Sequence, residues 1–161
     1  MVAGPGCLMY AVVLSYDEFP QLRVVDQAHQ FVMGRMRDAL ARVEPAVRFQ
    51  GSCDLTVRDR KISGNSLRCK RSHLLYHGTV LYDFPLSQIS DWLRSPPRQP
   101  EYRQGRSHEA FVSNVDSTAQ EIKLAIQEQW ALDDVLTVWP SQAVDDLVTR
   151  QYSLSSWNER R

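Results

Sequence analysis

The sequence predicts an α+β domain, and three observations carry that prediction. Apolar residues recur every three or four positions from Leu22 to Val43, the spacing of a long amphipathic helix. From 47 to 84 the pattern changes to short alternating or β-branched runs separated by turn residues. Strands and helices mix without a strict βαβ alternation. With 161 residues, 43% of them hydrophobic and 24% charged, the chain is one domain, 1–161, able to bury a core without a disulfide or metal staple.

Gly4-Pro5-Gly6 signals a turn, and the run Leu8–Leu14 after it reads as a fully buried strand. With a buried strand so close to Met1, a further segment is expected ahead of it. Ser15 to Pro20 is a loop. The helix of 22–43 follows, with Leu22, Val25, Ala28, Val32, Met36, Ala39 and Val43 as its stripe and Pro45 as its stop. His29, beside that stripe, has no partner at helical spacing and reads as a packing or surface histidine. Leu55 and Val57 alternate with polar residues, Asp59-Arg60 makes a turn, and Lys61-Ile62-Ser63 opens the next strand. Leu74–Tyr76 and Thr79–Tyr82 form another, interrupted by His77-Gly78, where a glycine marks a bulge or a ligand close to the backbone. Leu86, Ile89, Trp92 and Leu93 make a short helix stopped by Ser95-Pro96-Pro97, and a loop rich in Pro, Arg and Tyr runs to Ser107. Ser117 caps a second amphipathic helix carrying Ile122, Leu124, Ile126 and Trp130. Val135–Trp139 is read as a short strand and Ala143–Tyr152 as a last helix.

Nineteen Lys and Arg balance nineteen Asp and Glu, so the whole chain has no electrostatic reason to seek nucleic acid or an anionic membrane. The balance fails locally. Arg58, Arg60, Lys61, Arg68, Lys70 and Arg71 face the single acid Asp59, which marks an anion-facing surface or a solvated basic one. Between Asp116 and Thr149 the acids dominate, with Lys123 the one base. Cys7, Cys53 and Cys69, an odd set without a CxxC pair, fit a reducing compartment and no thiolate zinc site. No apolar run approaches the ~20 residues of a membrane span, and the first residues do not read as a basic n-region followed by an apolar h-region, so the expected location is cytoplasmic.

Several motifs are excluded: the sequence has no Gly-x-Gly-x-x-Gly, no Walker loop and no Gly-x-Ser-x-Gly. His73 and His77, in a strand pattern, would lie about 13 Å apart on one face, too far to share a metal. No metal ligand is assigned. What remains is a lysine entering a strand three residues before a glycine, Lys61 and Gly64, with a second glycine at 78. Such a lysine can aim its ammonium at an anion held over bare backbone, and Gly78 would let the same ligand lie flat. A basic hairpin with bulge glycines has the same composition.

Gly51-x-x-Asp54-Leu55, Asp59-Arg60-Lys61-Ile62-Ser63-Gly64-Asn65-Ser66-x-Arg68 and His77-Gly78-Thr79-Val80-Leu81 together resemble the lipoate–protein ligase family of the biotin/lipoate ligase superfamily. Tyr102-x-x-x-Arg106-x-His108, Phe111-Val112-x-Asn114 and Tyr152 with Trp157-Asn158 extend the resemblance over almost the whole chain. It implies a mixed, mostly antiparallel sheet packed with helices. It also implies ATP-dependent activation of lipoate or octanoate to an acyl-adenylate, then transfer to a lysine of a lipoyl-carrier domain, of the 2-oxo acid dehydrogenases or the glycine-cleavage H protein. Magnesium would accompany ATP. Lys61 matches the family's active-site lysine; Gly64, Asn65, Ser66, His77, Gly78, Thr79 and Val80 match segments lying against acyl chain and adenylate. The family's Arg-Arg-x-Ser-Gly-Gly-Gly-x-Val loop should lie immediately before Gly4 and is missing, so an N-terminally truncated catalytic domain is expected. The alternatives are a cysteine-dependent octanoyl or lipoyl transferase, with Cys53 as its nucleophile, and an inactive fragment that binds lipoyl domains. A biotin ligase fits the wording less well.

Overall fold

The computed structural model describes residues 2–132 and 134–160. The chain divides into two compact units, one ending at Ala131 and one beginning at Leu132. The first unit carries a sheet of five strands: β1 (Cys7–Ser15), β2 (Val47–Gln50), β3 (Asp54–Val57), β4 (Arg60–Cys69) and β5 (His73–Leu81). Their order is β1-β5-β4-β3-β2, every pair is antiparallel, and the parallel element is a single bridge between Lys61 and Val112. This is the α+β architecture expected from the sequence.

One face of the sheet is covered by helix α1 (Val25–Leu40). Ala28, Val32, Met33, Met36 and Leu40 from the helix form one core with Leu14, Val47, Leu55, Leu74, Tyr76 and Val80 from the strands. Three further helices belong to this unit: α2 (Ser87–Trp92), α3 (His108–Phe111) and α4 (Ala119–Gln129). The last of these joins the core through Ile122 and lies against α1, where Arg42 and Glu128 make an ion pair at 2.5 Å.

Several expectations need correction. The Leu8–Leu14 run is not buried on both sides: β1 is an edge strand, and Met9 and Val13 are more than 60% exposed while Leu14 packs inward. The helix expected over 22–43 splits, because Val24 is extended and separates a 3₁₀ turn at Pro20–Arg23 from α1. Its C-terminus comes at Leu40, well before Pro45. The hairpin turn sits at Arg58-Asp59, both at positive φ, one residue earlier than expected. Strand β5 runs without interruption through His77-Gly78. The N-cap of α4 is Thr118, not Ser117: Thr118 accepts from the Glu121 N–H and Glu121 reaches back to the Thr118 N–H, a complete capping box.

In the second unit, Val135–Trp139 forms no strand. Helix α5 (Ser141–Leu147) begins two residues before the expected helix and passes into a π turn at Val148–Tyr152, followed by the short α6 (Ser155–Asn158). Tyr152 and Trp157 pack edge-to-face there, with ring centroids 5.5 Å apart.

Candidate active site

The site begins with an irregularity in a strand. Leu55 pairs with Ser63 and Thr56 with Lys61, so Ile62 is an extra residue on β4. In a regular strand, residues three apart point to opposite faces. The bulge cancels that parity: Ile62 turns into the core, and Lys61 comes round to the face of Gly64. A Cβ on Gly64 would lie 3.1 Å from Lys61 Cε and 3.2 Å from Nζ, so the lysine stem occupies the space a side chain there would need.

The ammonium of Lys61 is held by Asp54 on β3, Nζ to Oδ1 at 2.6 Å. The lysine side chain keeps 28% of its surface exposed and the aspartate 12%, so the cation remains reachable from the groove while its partner does not. The other oxygen of Asp54 accepts a hydrogen bond from the Tyr102 phenol at 2.7 Å. Burial, the Asp54 hydrogen bond and the Asp54 charge together hold the Tyr102 phenol above its ordinary value of 10, Arg106 opposing them.

Met9, Lys61, Gly64, Asn65, Ser66, His77, Gly78 and Thr79 line one groove of about 260 Å³. It therefore collects every residue expected at the site except Val80. The Val80 side chain lies in the core, so only its backbone is available to a ligand. A second chamber of about 220 Å³ shares Lys61, Gly64 and Thr79 with the first and continues between Leu81, Ile89, Leu93 and Val112. The two thus meet at the lysine.

Gly78 has a reason of its own. A Cβ there would come 1.7 Å from Asn65 Oδ1. The Asn65 amide crosses beneath this glycine, accepting from Tyr10 Oη at 2.5 Å and donating to the Cys53 carbonyl at 2.7 Å and to Ser63 Oγ at 3.1 Å. Asn65 and Gly78 thus offer backbone to the groove and side-chain bonding to the inner face.

Cys53 is half-buried and donates to the Asn65 carbonyl at 3.2 Å. Burial, reinforced by the Asp54 charge and opposed by Lys61, raises its thiol, which is the reverse of what activates a nucleophile. Cys7 is likewise raised by burial. His29 bonds the Tyr76 phenol at 2.8 Å and is a packing residue, as read from the sequence. Of the basic run, Arg60 turns to the carbonyls of Glu109 and Val112 at 2.7 and 2.6 Å, so it is not free to face an anion, while Arg58, Arg68, Lys70 and Arg71 are exposed. Among the described residues, no group of three His, Cys, Asp or Glu side chains comes together to hold a metal.

Two partners in this site had no expected role. Asp54 stood in a matched motif without an assigned function, although a lone acid ahead of a basic strand is a readable signal for a counter-ion. Tyr102 lies 48 residues further on, and nothing local to it announces the contact.

Residues 1–141 match the model of the lipoyl protein ligase A/B catalytic domain, and the chain belongs to that family. Among solved structures it is similar to a chain of an archaeal lipoylation system from Thermoplasma acidophilum, a bi-partite lipoate protein ligase and its E2 lipoyl domain. The TM-score is 0.75 at 20% identity, covering 96% of this chain and 64% of that one. A lipoate-protein ligase A bound with ATP gives 0.75 at 20% identity, covering 95% and 65%. LipL1 of P. falciparum in complex with lipoate gives 0.59 at 17% identity, covering 95% and 44%. The chain thus spans less than two thirds of the length of each of these structures. No curated protein matches the chain.

Proposed function

We propose that this chain is the catalytic domain of a lipoate–protein ligase. It would join lipoate or octanoate to ATP as an acyl-adenylate and pass the acyl group to a lysine of a lipoyl-carrier domain of a 2-oxo acid dehydrogenase or the glycine-cleavage H protein. The observation that carries this reading is the Lys61 ammonium, fixed by Asp54 over the bare backbone of Gly64 where two chambers meet. Family membership supports it.

In the first step a carboxylate oxygen of the acid bonds to the α-phosphorus of ATP, and pyrophosphate leaves with the electrons of the broken P–O bond. Charge builds on the phosphate oxygens in this step and on the acyl oxygen when the amine adds in the next, and a fixed ammonium beside both stabilises it without reorganising. In the second step the carrier amine attacks the acyl carbon, AMP leaves, and the amine gives up its proton to solvent. Lys61 serves both steps from one position because the reacting atoms stay within its reach. The chamber of Leu81, Ile89, Leu93 and Val112 offers apolar walls to an acyl chain. Magnesium would enter with ATP, and no residue here is assigned to it.

The test uses the complete protein with octanoate or lipoate, ATP, magnesium and an unmodified lipoyl domain. Pyrophosphate release and acylation of a single carrier lysine, seen by mass spectrometry, are expected. Release of neither pyrophosphate nor acylated carrier overturns the reading.

A further inference from the structure

The segment between α2 and α3 is built as if to hold one phenol in place. Tyr102 sits in a 3₁₀ turn, Glu101–Arg103, after the Pro-rich stretch. Its ring packs on Phe111 with centroids 5.2 Å apart, and Gly51, at φ +60, lies against its edge: a Cβ there would touch Tyr102 Cε1 at 3.4 Å. Arg106 bonds the Tyr102 carbonyl at 2.6 Å and the Asp59 carbonyl at 3.0 Å, which ties the segment to the hairpin that carries Lys61. Arg103, 4% exposed, bonds the Arg106 carbonyl at 3.0 Å and lies over Phe111. All this fixing converges on one hydrogen bond, from Tyr102 Oη to Asp54 Oδ2.

We propose that Tyr102 is a positioning residue that acts on Lys61 through Asp54. A carboxylate with two equivalent oxygens, nearly buried, can turn and meet an ammonium in several ways. With Oδ2 occupied by a phenol from a rigid turn, only Oδ1 faces Lys61, and the ammonium is directed to one point over Gly64. Arrival of an anion in the groove then draws Lys61 away from an Asp54 that keeps a partner of its own, so no buried charge is left unbonded. The 94–107 segment is thereby part of the site although neither chamber's lining includes it. The importance of this relay for catalysis rests on the ligase reading above; its existence does not.

Lys61, Lys70 and Lys123 are the chain's three lysines, so two internal references are available. The experiment is trace acetylation of the complete protein by acetic anhydride at fixed pH, with the three amines quantified by mass spectrometry, for the parent, Tyr102→Phe, Asp54→Asn and the double variant. Tyr102→Phe keeps the ring on Phe111 and removes only the hydroxyl. The expected result, relative to Lys70 and Lys123, is a rise of threefold or more in Lys61 labelling in Asp54→Asn, and a fall of twofold or more in Tyr102→Phe, whose carboxylate, no longer shared with a phenol, holds the ammonium more closely. In the Asp54→Asn background, Tyr102→Phe should add nothing, because the two act in series. No change in Tyr102→Phe, or an equal change in both backgrounds, overturns the relay. The assay uses no substrate, so a protein that labels as expected yet forms no acyl-adenylate overturns the ligase reading alone. If it also makes adenylate, Tyr102→Phe should lower kcat more than it raises the KM for ATP.

Discussion

Asn65 occupies the space that Gly78 leaves vacant: their strands pair residue to residue, and the amide oxygen lies where a Cβ on Gly78 would be. The glycine is therefore required by the inner network of Tyr10, Ser63 and the Cys53 carbonyl, whatever lies in the groove. Gly78→Ala should displace Asn65 and break its bond with Tyr10. The expected cost is about 1–3 kcal/mol, as for other overpacked sites, which for a chain of this size lowers Tm by several degrees. Denaturant unfolding checks it. An alanine variant as stable as the parent would show that Asn65 has another place to go.

Lys61 differs in kind from Gly78, since its head group is partly exposed and packs little. Lys61→Ala leaves Asp54 with the Tyr102 phenol as its remaining partner, so it should lower the melting temperature by several degrees without unfolding the domain, and abolish acyl-adenylate formation. Lys61→Arg should fail as well, because a wide planar guanidinium cannot take the place of a compact ammonium above Gly64. Near-parent adenylate formation by the alanine variant removes Lys61 from the chemistry.

Gly64 supports that lysine by having no side chain. Its backbone is not in the left-handed region, so Gly64→Val meets no backbone strain, only the Lys61 stem at just over 3 Å. The flexible lysine should give way, with stability kept and adenylate formation reduced at least tenfold. Full activity in Gly64→Val would show that Lys61 tolerates displacement.

Much of this was legible in the sequence, and the remainder was not for identifiable reasons. The β4 and β5 strands and the stripe of α1 follow from periodicities of two and 3.6, which are local. The bulge at Ile62 is not local: it depends on how β3 pairs, and Lys61-Ile62-Ser63 looks the same with or without it. For that reason the sequence shows that Lys61 can face Gly64 but not the device that achieves it. Gly78 invited a ligand explanation because a glycine in a strand shows only that space is needed, not which side uses it. Ser117 and Thr118 are both good caps; Glu121 at the third helical position decides for Thr118. Leu8–Leu14 misled because an apolar run does not reveal whether a strand is flanked on both sides. Val135–Trp139 has strand composition but pairs with no strand among the described residues.

The cysteines should be dispensable for the chemistry. The Cys53 thiol is raised by burial and by Asp54, so near neutral pH it stays protonated and a poor nucleophile. Cys53→Ser keeps a donor for the Asn65 carbonyl and should retain adenylate formation and acyl transfer within twofold. A stable thioester on Cys53 after incubation with an octanoylated carrier would instead make the protein a cysteine transferase.

Stability should fall on the alkaline side for a reason the structure supplies. The phenols of Tyr10, Tyr76 and Tyr102 are all held above their ordinary value of 10, burial being the largest cause in each. Above that pH the unfolded chain releases phenol protons that the folded chain retains. The folded state then binds more protons than the unfolded, and the free energy of unfolding decreases as pH rises. Below about pH 9 the three contribute no slope. Each phenol that stays protonated adds up to ~1.4 kcal/mol per pH unit to the decline. Tyr76 is fully buried and suits the test, because Tyr76→Phe loses only the hydroxyl and its bond to His29. The variant should begin less stable at pH 8 yet decline less steeply between pH 10 and 11.5, so the two curves converge. Urea midpoints read at half-unit intervals would show this. Parallel curves over that range would mean that the Tyr76 phenol titrates alike in the folded and unfolded chains.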